Sequence, residues 1–565
     1  MITRFRGPSR TMPRLVLTSL VAAMLVGCGS SATQTPVPTS APTAVPPTAS
    51  APPTAEPSVA PPPTAAPSPQ PTESAAPQPQ VGGVLTMAWS EEPQSFNPIG
   101  PMNNGSIFTI VQMFDQLVEL KPGTKDVVPG LAESWEVSPD GMSYTFHIRD
   151  AKFSNGDPVT IDDVKFSVDR FINPEVNVNY SFLVQNAKDA EIVDPKTIRI
   201  NMKSVDASFL QTLTEFFASI VPKKVVESLG EEAFGENPVG TGPFMLKSWT
   251  RGQKAEMVRN PSYWRPGQPY LDGVTFLFIK DDITRILKLQ SGEAQAAVPI
   301  PVSQVQALGN IAGLKVLIEP ALTQYHVYLN NAAKPLDDKL VRQALNYATP
   351  KEIINELAFA GVARVANTMT TATLFWDESV PPYAYDIDKA KELMAQSSAP
   401  DGFPLPLLIV AGDVGVQQTA TILQAEWAKI GVKVEILPLD QAAVEAKRGS
   451  KDFMANLFPA NLVSSDVFDD NLMTSIFLDY TSCCESVWTS YNSPEVTKLI
   501  RDANSTLDPA KRQEMYSQVQ KTTMEDAPFV SLLLPPHRSA VRDTVQGFAT
   551  LPTGWWLLQD VWLSQ

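Results

Sequence analysis

The sequence predicts a mixed α/β protein carried behind a long unstructured tether, and three observations lead there. Alternating apolar runs around turn dipeptides indicate hairpins, as in "PGLAESWEVSPDGMSYTFHIRD". Apolar residues spaced for one helical face follow them, as at Val164, Val168, Phe171 and Ile172. Finally, "LPLLIV", a helix carrying Leu423, Trp427 and Ile430, a stop at Gly431 and the alternating strand Val432, Val434, Ile436 read as a βαβ unit.

The N-terminal segment sets the compartment. Arg4, Arg6, Arg10 and Arg14 precede an apolar run from Leu15 to Val26. That run is shorter than the roughly 20 residues a membrane span needs, so residues 1–27 read as a secretory signal peptide. Leu25, Val26, Gly27 and Cys28 resemble a bacterial lipobox. The resemblance implies cleavage before Cys28, which then carries the lipid. Residues 28–80 are almost all Pro, Ala, Thr, Ser, Val and Gln, with Glu56 and Glu73 as the charges between Ser31 and Gln80. Such a chain cannot bury enough apolar surface to offset its ordering entropy, so it is expected to be a disordered linker.

The folded remainder is acidic. The chain carries a formal charge of −16, and removal of the four signal arginines takes it to −20. That balance disfavours nucleic acid and anionic lipid as partners. Other apolar runs are of strand length, so no second membrane segment is expected. Besides Cys28 there are Cys483 and Cys484, adjacent in "YTSCCESVW". They read equally as a vicinal disulfide or as two unpaired small residues in a loop, and as neither a CxxC redox motif nor a zinc site.

In chain order, "GGVLTMAW" reads as a strand and "EEPQSFNP" as a loop. A hairpin follows, with Leu131, Trp135 and Val137 on one alternating face, Tyr144, Phe146 and Ile148 on the next, and "SPDG" as its turn. The helix through Val164 has Thr160 as its expected N-cap and Pro174 past its end. Val341, Ala344, Leu345 and Ala348 form another apolar stripe, and Thr349, Pro350 and Glu352 read as a capping box opening the next helix.

These segments, with "KFSNGDPVTIDDVKFSVDR", "NPVGTGPFMLKSW", "RNPSYWRPGQPYLDGVTF" and "SGEAQAA", resemble the successive signatures of the extracellular solute-binding protein family 5. These are the dipeptide- and oligopeptide-binding lipoproteins of ABC importers. The resemblance runs through "NNAAKPLDDKLVRQALNYA", "AEWAKIGVKVEI" and "DPAKRQEMYSQVQKTTMEDAPFVSLL" to the C-terminus. It implies a two-lobed periplasmic-binding-protein-like fold (type II, cluster C) with three domains. Domain I would take 81–117, 240–322 and 539–565, domain II 118–239, and domain III 323–538.

No phosphate loop, HExxH or GxSxG motif is present, and the histidines are His147, His326 and His537. His147 is expected at the surface or an edge, and His326, alternating with aromatics, in a structural role. No enzyme activity, no cofactor and no metal site are expected. The segment "NLVSSDVFDDN" looks like the family's "ADYxDP" segment. The resemblance assigns Asp466 to the α-ammonium of a peptide, the alternative being a capping or surface aspartate. This chain departs from the pattern in having Asp470 where the family has proline. Trp89, Trp376 and Trp556 are the aromatic candidates for stacking on ligand, with packing in the core as their alternative. Tyr263 and Trp264 are expected to be structural, and the glycines of "VGTGPF" to allow close backbone approach to a strand or a ligand.

The resulting expectation is a monomeric receptor anchored through Cys28 at the outer face of the cell membrane or in the periplasm. It captures peptides or similar polar solutes and passes them to permease subunits and their ATPase. The competing expectations are another solute (oligosaccharide, nickel or other metal chelate, opine), an orphan sensor, or an extracytoplasmic hydrolase.

Overall fold

The computed structural model describes residues 78–460, 469–480 and 488–564. Cys28, Asp466, Cys483 and Cys484 lie outside the described residues.

Two mixed sheets organise the chain from residue 78 onward. The first has seven strands, and its centre is parallel: Val84–Trp89 lies between Ala296–Val298 and Gly273–Phe278. The second has six, and there Pro404–Val410 runs parallel to both Lys433–Leu439 and Ala455–Ala460. The chain crosses between them twice. Leu314–Glu319 belongs to the first sheet and Gln324–Leu329 to the second, while Phe529–Leu534 lies in the second and His537–Arg542 in the first. Each sheet therefore anchors a lobe, and the connections are the short segments 320–323 and 535–536.

The βαβ expectation holds in lobe 2. The helix Val414–Ala428 joins the parallel strands Pro404–Val410 and Lys433–Leu439. Leu423 and Trp427 are fully buried beneath it, and Gly431 turns the chain at φ +82°. Burying a large apolar side chain contributes roughly 1.5–3 kcal/mol, so these residues fix the face on which the helix docks.

A four-stranded antiparallel sheet is attached to lobe 1, in the order Ala132–Val137, Ser143–Ile148, Thr197–Met202, Ala187–Asp194. Tyr144, Phe146 and Ile148 are buried as expected. Val137 is not: it is 37% exposed, because its strand is the sheet's edge and carries a bulge between Ala132 and Ser134. The helix Ile161–Ile172 starts with a full capping box, Thr160 accepting from the Asp163 amide while the Asp163 carboxylate accepts from the Thr160 amide at 2.9 Å. The box expected at Thr349 does not form. The Thr349 hydroxyl donates to the Leu345 carbonyl at 2.7 Å and accepts from Trp427 Nε1 at 3.1 Å, so tertiary packing has taken the cap oxygen.

The "VGTGPF" glycines serve chain packing. A Cβ on Gly240 would lie 2.1 Å from the Met113 carbonyl oxygen. His147 is half-buried beside Thr197, and His326 is fully buried against Tyr328 and Phe529, with burial pushing its pKa down to about 3. No helix among the described residues is long and apolar enough to cross a membrane.

Candidate functional site

In open α/β sheets the space beyond the carboxyl ends of parallel strands is where ligands gather, since the connecting loops diverge there. Here the strands ending at Trp89 and Val298 from one lobe, and the segment Pro535–Arg538 between lobes, border a common crevice of about 240 Å³ at the double crossing. Tyr325 closes it from lobe 2, its hydroxyl 3.4 Å from an Asp413 carboxylate oxygen.

Aromatic rings build one wall. Trp89 stacks on Phe108 with centroids 5.4 Å apart, and Trp556 meets both edge-on at 5.0 Å. Such pairs contribute about 0.5–1.5 kcal/mol each beyond area burial. Gly554, at φ +96°, passes so close that a Cβ would fall 2.9 Å from the Phe108 ring. Both tryptophans are almost wholly buried, so they border the crevice with the edge of a packed cluster.

The polar groups of the crevice are sparsely matched. Arg538 donates to the carbonyls of Pro536 at 2.9 Å and Ile300 at 3.3 Å, and burial lowers its pKa. Among the described residues it forms no ion pair. His537 meets the Pro552 carbonyl through Nε2 at 3.1 Å, and burial holds its pKa down, which leaves a neutral ring with its proton on Nε2. The Trp556 Nε1, Ser539 and Thr550 side chains have no hydrogen-bond partner.

A second contact zone joins the four-stranded sheet's loops to lobe 2. It encloses about 460 Å³, lined on one side by Asn186, Asp206 and Ser208 and on the other by Asn471, Ser475 and Asn504. The Ala207 amide donates to the Asn504 carbonyl at 2.9 Å and Asn471 to the Ser208 hydroxyl at 3.3 Å. Burial raises the Asp206 pKa against the hydrogen bonds it accepts from Ser208 and Asn186.

Trp376 stands apart from Trp89 and Trp556. Its Nε1 donates to Asn367 at 2.7 Å and the Arg364 guanidinium lies 4.1 Å over its ring. The segment 469–470, just after the residues that include Asp466, is firmly held. Asp469 receives both Arg512 Nη1 and Nη2 at 2.7 Å, with both side chains buried. Asp470 accepts the Phe375 amide at 2.7 Å, and burial, with Asp469 beside it, pushes its pKa up to about 7.

Sequence reasoning missed Arg448. It ends the helix Gln441–Gly449 looking like an ordinary basic last turn, yet it is 7% exposed, 3.6 Å from the Trp488 ring centroid and 4.5 Å from that of Phe458. Its Nη1 has no partner, and neither has the nearby Tyr328 hydroxyl. Only the packed structure reveals this. Among the described residues there is no group of three or more metal-ligating side chains.

Residues 126–481 match the family model described as bacterial extracellular solute-binding proteins, family 5 Middle. The chain is 30% identical over 439 residues, 77% of its length and 84% of the relative's, to the glutathione-binding protein GsiB of Salmonella typhimurium. Among solved structures it is similar to the ABC transporter-associated periplasmic binding protein DppA from Helicobacter pylori in complex with the peptide STSA. That similarity has a TM-score of 0.74 at 26% identity, covering 86% of this chain and 99% of the other. It also resembles AgaA from A. tumefaciens R10 in complex with agropinic acid, with TM-score 0.73, 25% identity and coverage of 86% and 99%. With two sheets joined by a double crossing and a crevice at their shared edge, the chain belongs to the bacterial extracellular solute-binding proteins, family 5, the binding components of ABC importers.

Proposed function

We propose that this chain captures short peptides, or peptide-like solutes of glutathione size, between its lobes. The observation that carries the reading is two guanidiniums, half-buried Arg538 at the crevice and buried Arg448 in its aromatic surround, neither within ion-pair distance of a carboxylate among the described residues. Burying an unpaired charge is costly, so a solute carboxylate is the fitting complement. Asp466 is the proposed receiver of the solute ammonium, with Trp89 and Trp556 bordering the crevice and Trp376, apart from them in lobe 2, proposed as a further stacking contact. The relative that binds glutathione and the structural neighbour bound to a peptide support this class.

The remaining assignments belong to the same proposal. Cys28 carries a lipid, the 28–80 linker spans from the membrane to the receptor, and a monomer delivers solute to permease and ATPase subunits. The sheet membership of strands on either side of 320–323 and 535–536 supports the three-domain division. The function is capture and delivery, with no chemistry on the solute. A second reading, an opine ligand, is favoured by the similarity to the structure bound to agropinic acid.

Thermal unfolding with added glutathione, dipeptides or an opine tests the class. Ligand at about 100 times its dissociation constant stabilises the native state by about 2.7 kcal/mol. Stabilisation by peptides that vanishes on N-acetylation supports ammonium capture. Stabilisation by the opine alone replaces the peptide reading.

A further inference from the structure

We propose that Lys125 is the interlobe latch, a positioning residue that holds the two lobes together around the crevice. The strands Val118–Leu120 and Val127–Pro129 form a small hairpin on lobe 1, and Lys125 sits in the connection between them. Its Nζ donates to the Thr373 carbonyl of lobe 2. The hairpin tip is fixed behind it, because Gln211 Nε2 donates to the Lys125 carbonyl at 2.9 Å and Leu120 packs against Leu322 and Ala372.

The ammonium is half-buried where it arrives. Burial opposes its charge, while Asp470 and Glu378 attract it and Arg364 repels it. Burial is the largest of these influences and holds the Lys125 pKa below the ordinary lysine value; lobe 2 supplies the hydrogen-bond acceptor, and its carboxyl groups offset only part of the cost of removing the ammonium from water. An exposed surface pair would contribute little. This one is partly desolvated and spans two bodies, so its free energy acts on their relative position. The landing site also orders the segment bearing Trp376, because Thr373 precedes Phe375, whose amide is held by Asp470. The latch depends on the two-lobed fold and not on the identity of the solute.

The test is amide hydrogen exchange of the full chain without added solute, in wild type, Lys125→Met and Lys125→Arg. The reporter is the Ala207 amide, whose partner, the Asn504 carbonyl, lies across the interlobe contact. Amides of Val84–Trp89 report on lobe 1 itself. Lys125→Met is expected to accelerate exchange at Ala207 by about tenfold to a hundredfold, the range set by one hydrogen bond to a charged group. Val84–Trp89 should be unchanged, and Lys125→Arg should stay close to wild type. Exchange at Ala207 that is the same in Lys125→Met and wild type overturns the latch, whether both are protected or both exposed. So does equal acceleration in Lys125→Arg, which keeps the cation. With glutathione as probe, Lys125→Met should also bind about tenfold more weakly. Failure of wild type to bind glutathione would count against the peptide reading while leaving the exchange result standing.

Discussion

Along the hinge crevice, Trp89, Phe108 and Trp556 pack ring against ring, and the polar groups among them are left with few partners. At the Lys125 seam the lobes meet through charge: the Lys125 ammonium reaches the segment from Thr370 to Trp376, which lobe 2 backs with the Asp469–Arg512 pair and the Asp470 carboxyl. The crevice leaves the Trp556 Nε1, Ser539 and Thr550 side chains without partners, whereas the seam commits most of its charged groups to one another and leaves only single atoms such as Asp470 Oδ1 and Thr370 Oγ1 unmatched. On the readings proposed above, capture and closure fall to different chemistry in different places.

Breaking the ion pair that backs the seam within lobe 2 should have the largest effect. Arg512→Leu leaves Asp469 buried without its bidentate partner, and unfolding in urea should show a loss of about 3–5 kcal/mol. A value near zero would mean that water reaches Asp469.

Asp470 sharpens the contrast through pH. Its pKa is raised from 3.8 to about 7 in the folded state, so folding favours the protonated form. Its contribution to stability is present at low pH and is lost as pH rises through about 7. Relative to Asp470→Asn, wild type should lose about 1.4 kcal/mol per pH unit between roughly pH 4 and 7. Parallel stability curves for the two proteins would show that the carboxyl is hydrated.

The smallest effect belongs to the crevice. Gly554→Ala places a Cβ against Phe108 at a positive φ, which should cost about 1–3 kcal/mol and move the aromatic wall. Solute affinity should fall along with stability. Unchanged affinity would detach the wall from binding.

How much of this was legible in the sequence follows from the range of the interactions. The hairpin, the Thr160 capping box and the βαβ unit depend on neighbours a few residues away, and periodicity exposes them. Thr349 was misread because a distant tryptophan and the preceding turn captured its hydroxyl. Val137 was misread because an edge position is a property of the sheet and not of the strand. The departure at Asp470, where the family pattern has proline, was visible as an oddity, and the structure gives it a task in holding the Phe375 amide. Arg448 and Lys125 carry no local sequence signal that singles them out. Nothing local distinguishes a lysine that reaches across a domain boundary from one that reaches into water.

The double crossing at 320–323 and 535–536 also fixes what can be communicated. Two short pins side by side favour a swing about the line joining them over twisting or sliding. A solute that bridges both lobes is expected to register chiefly as a change in that one angle. A membrane importer, or a pair of dyes placed on the two lobes, needs to read only that angle to know whether the receptor is loaded.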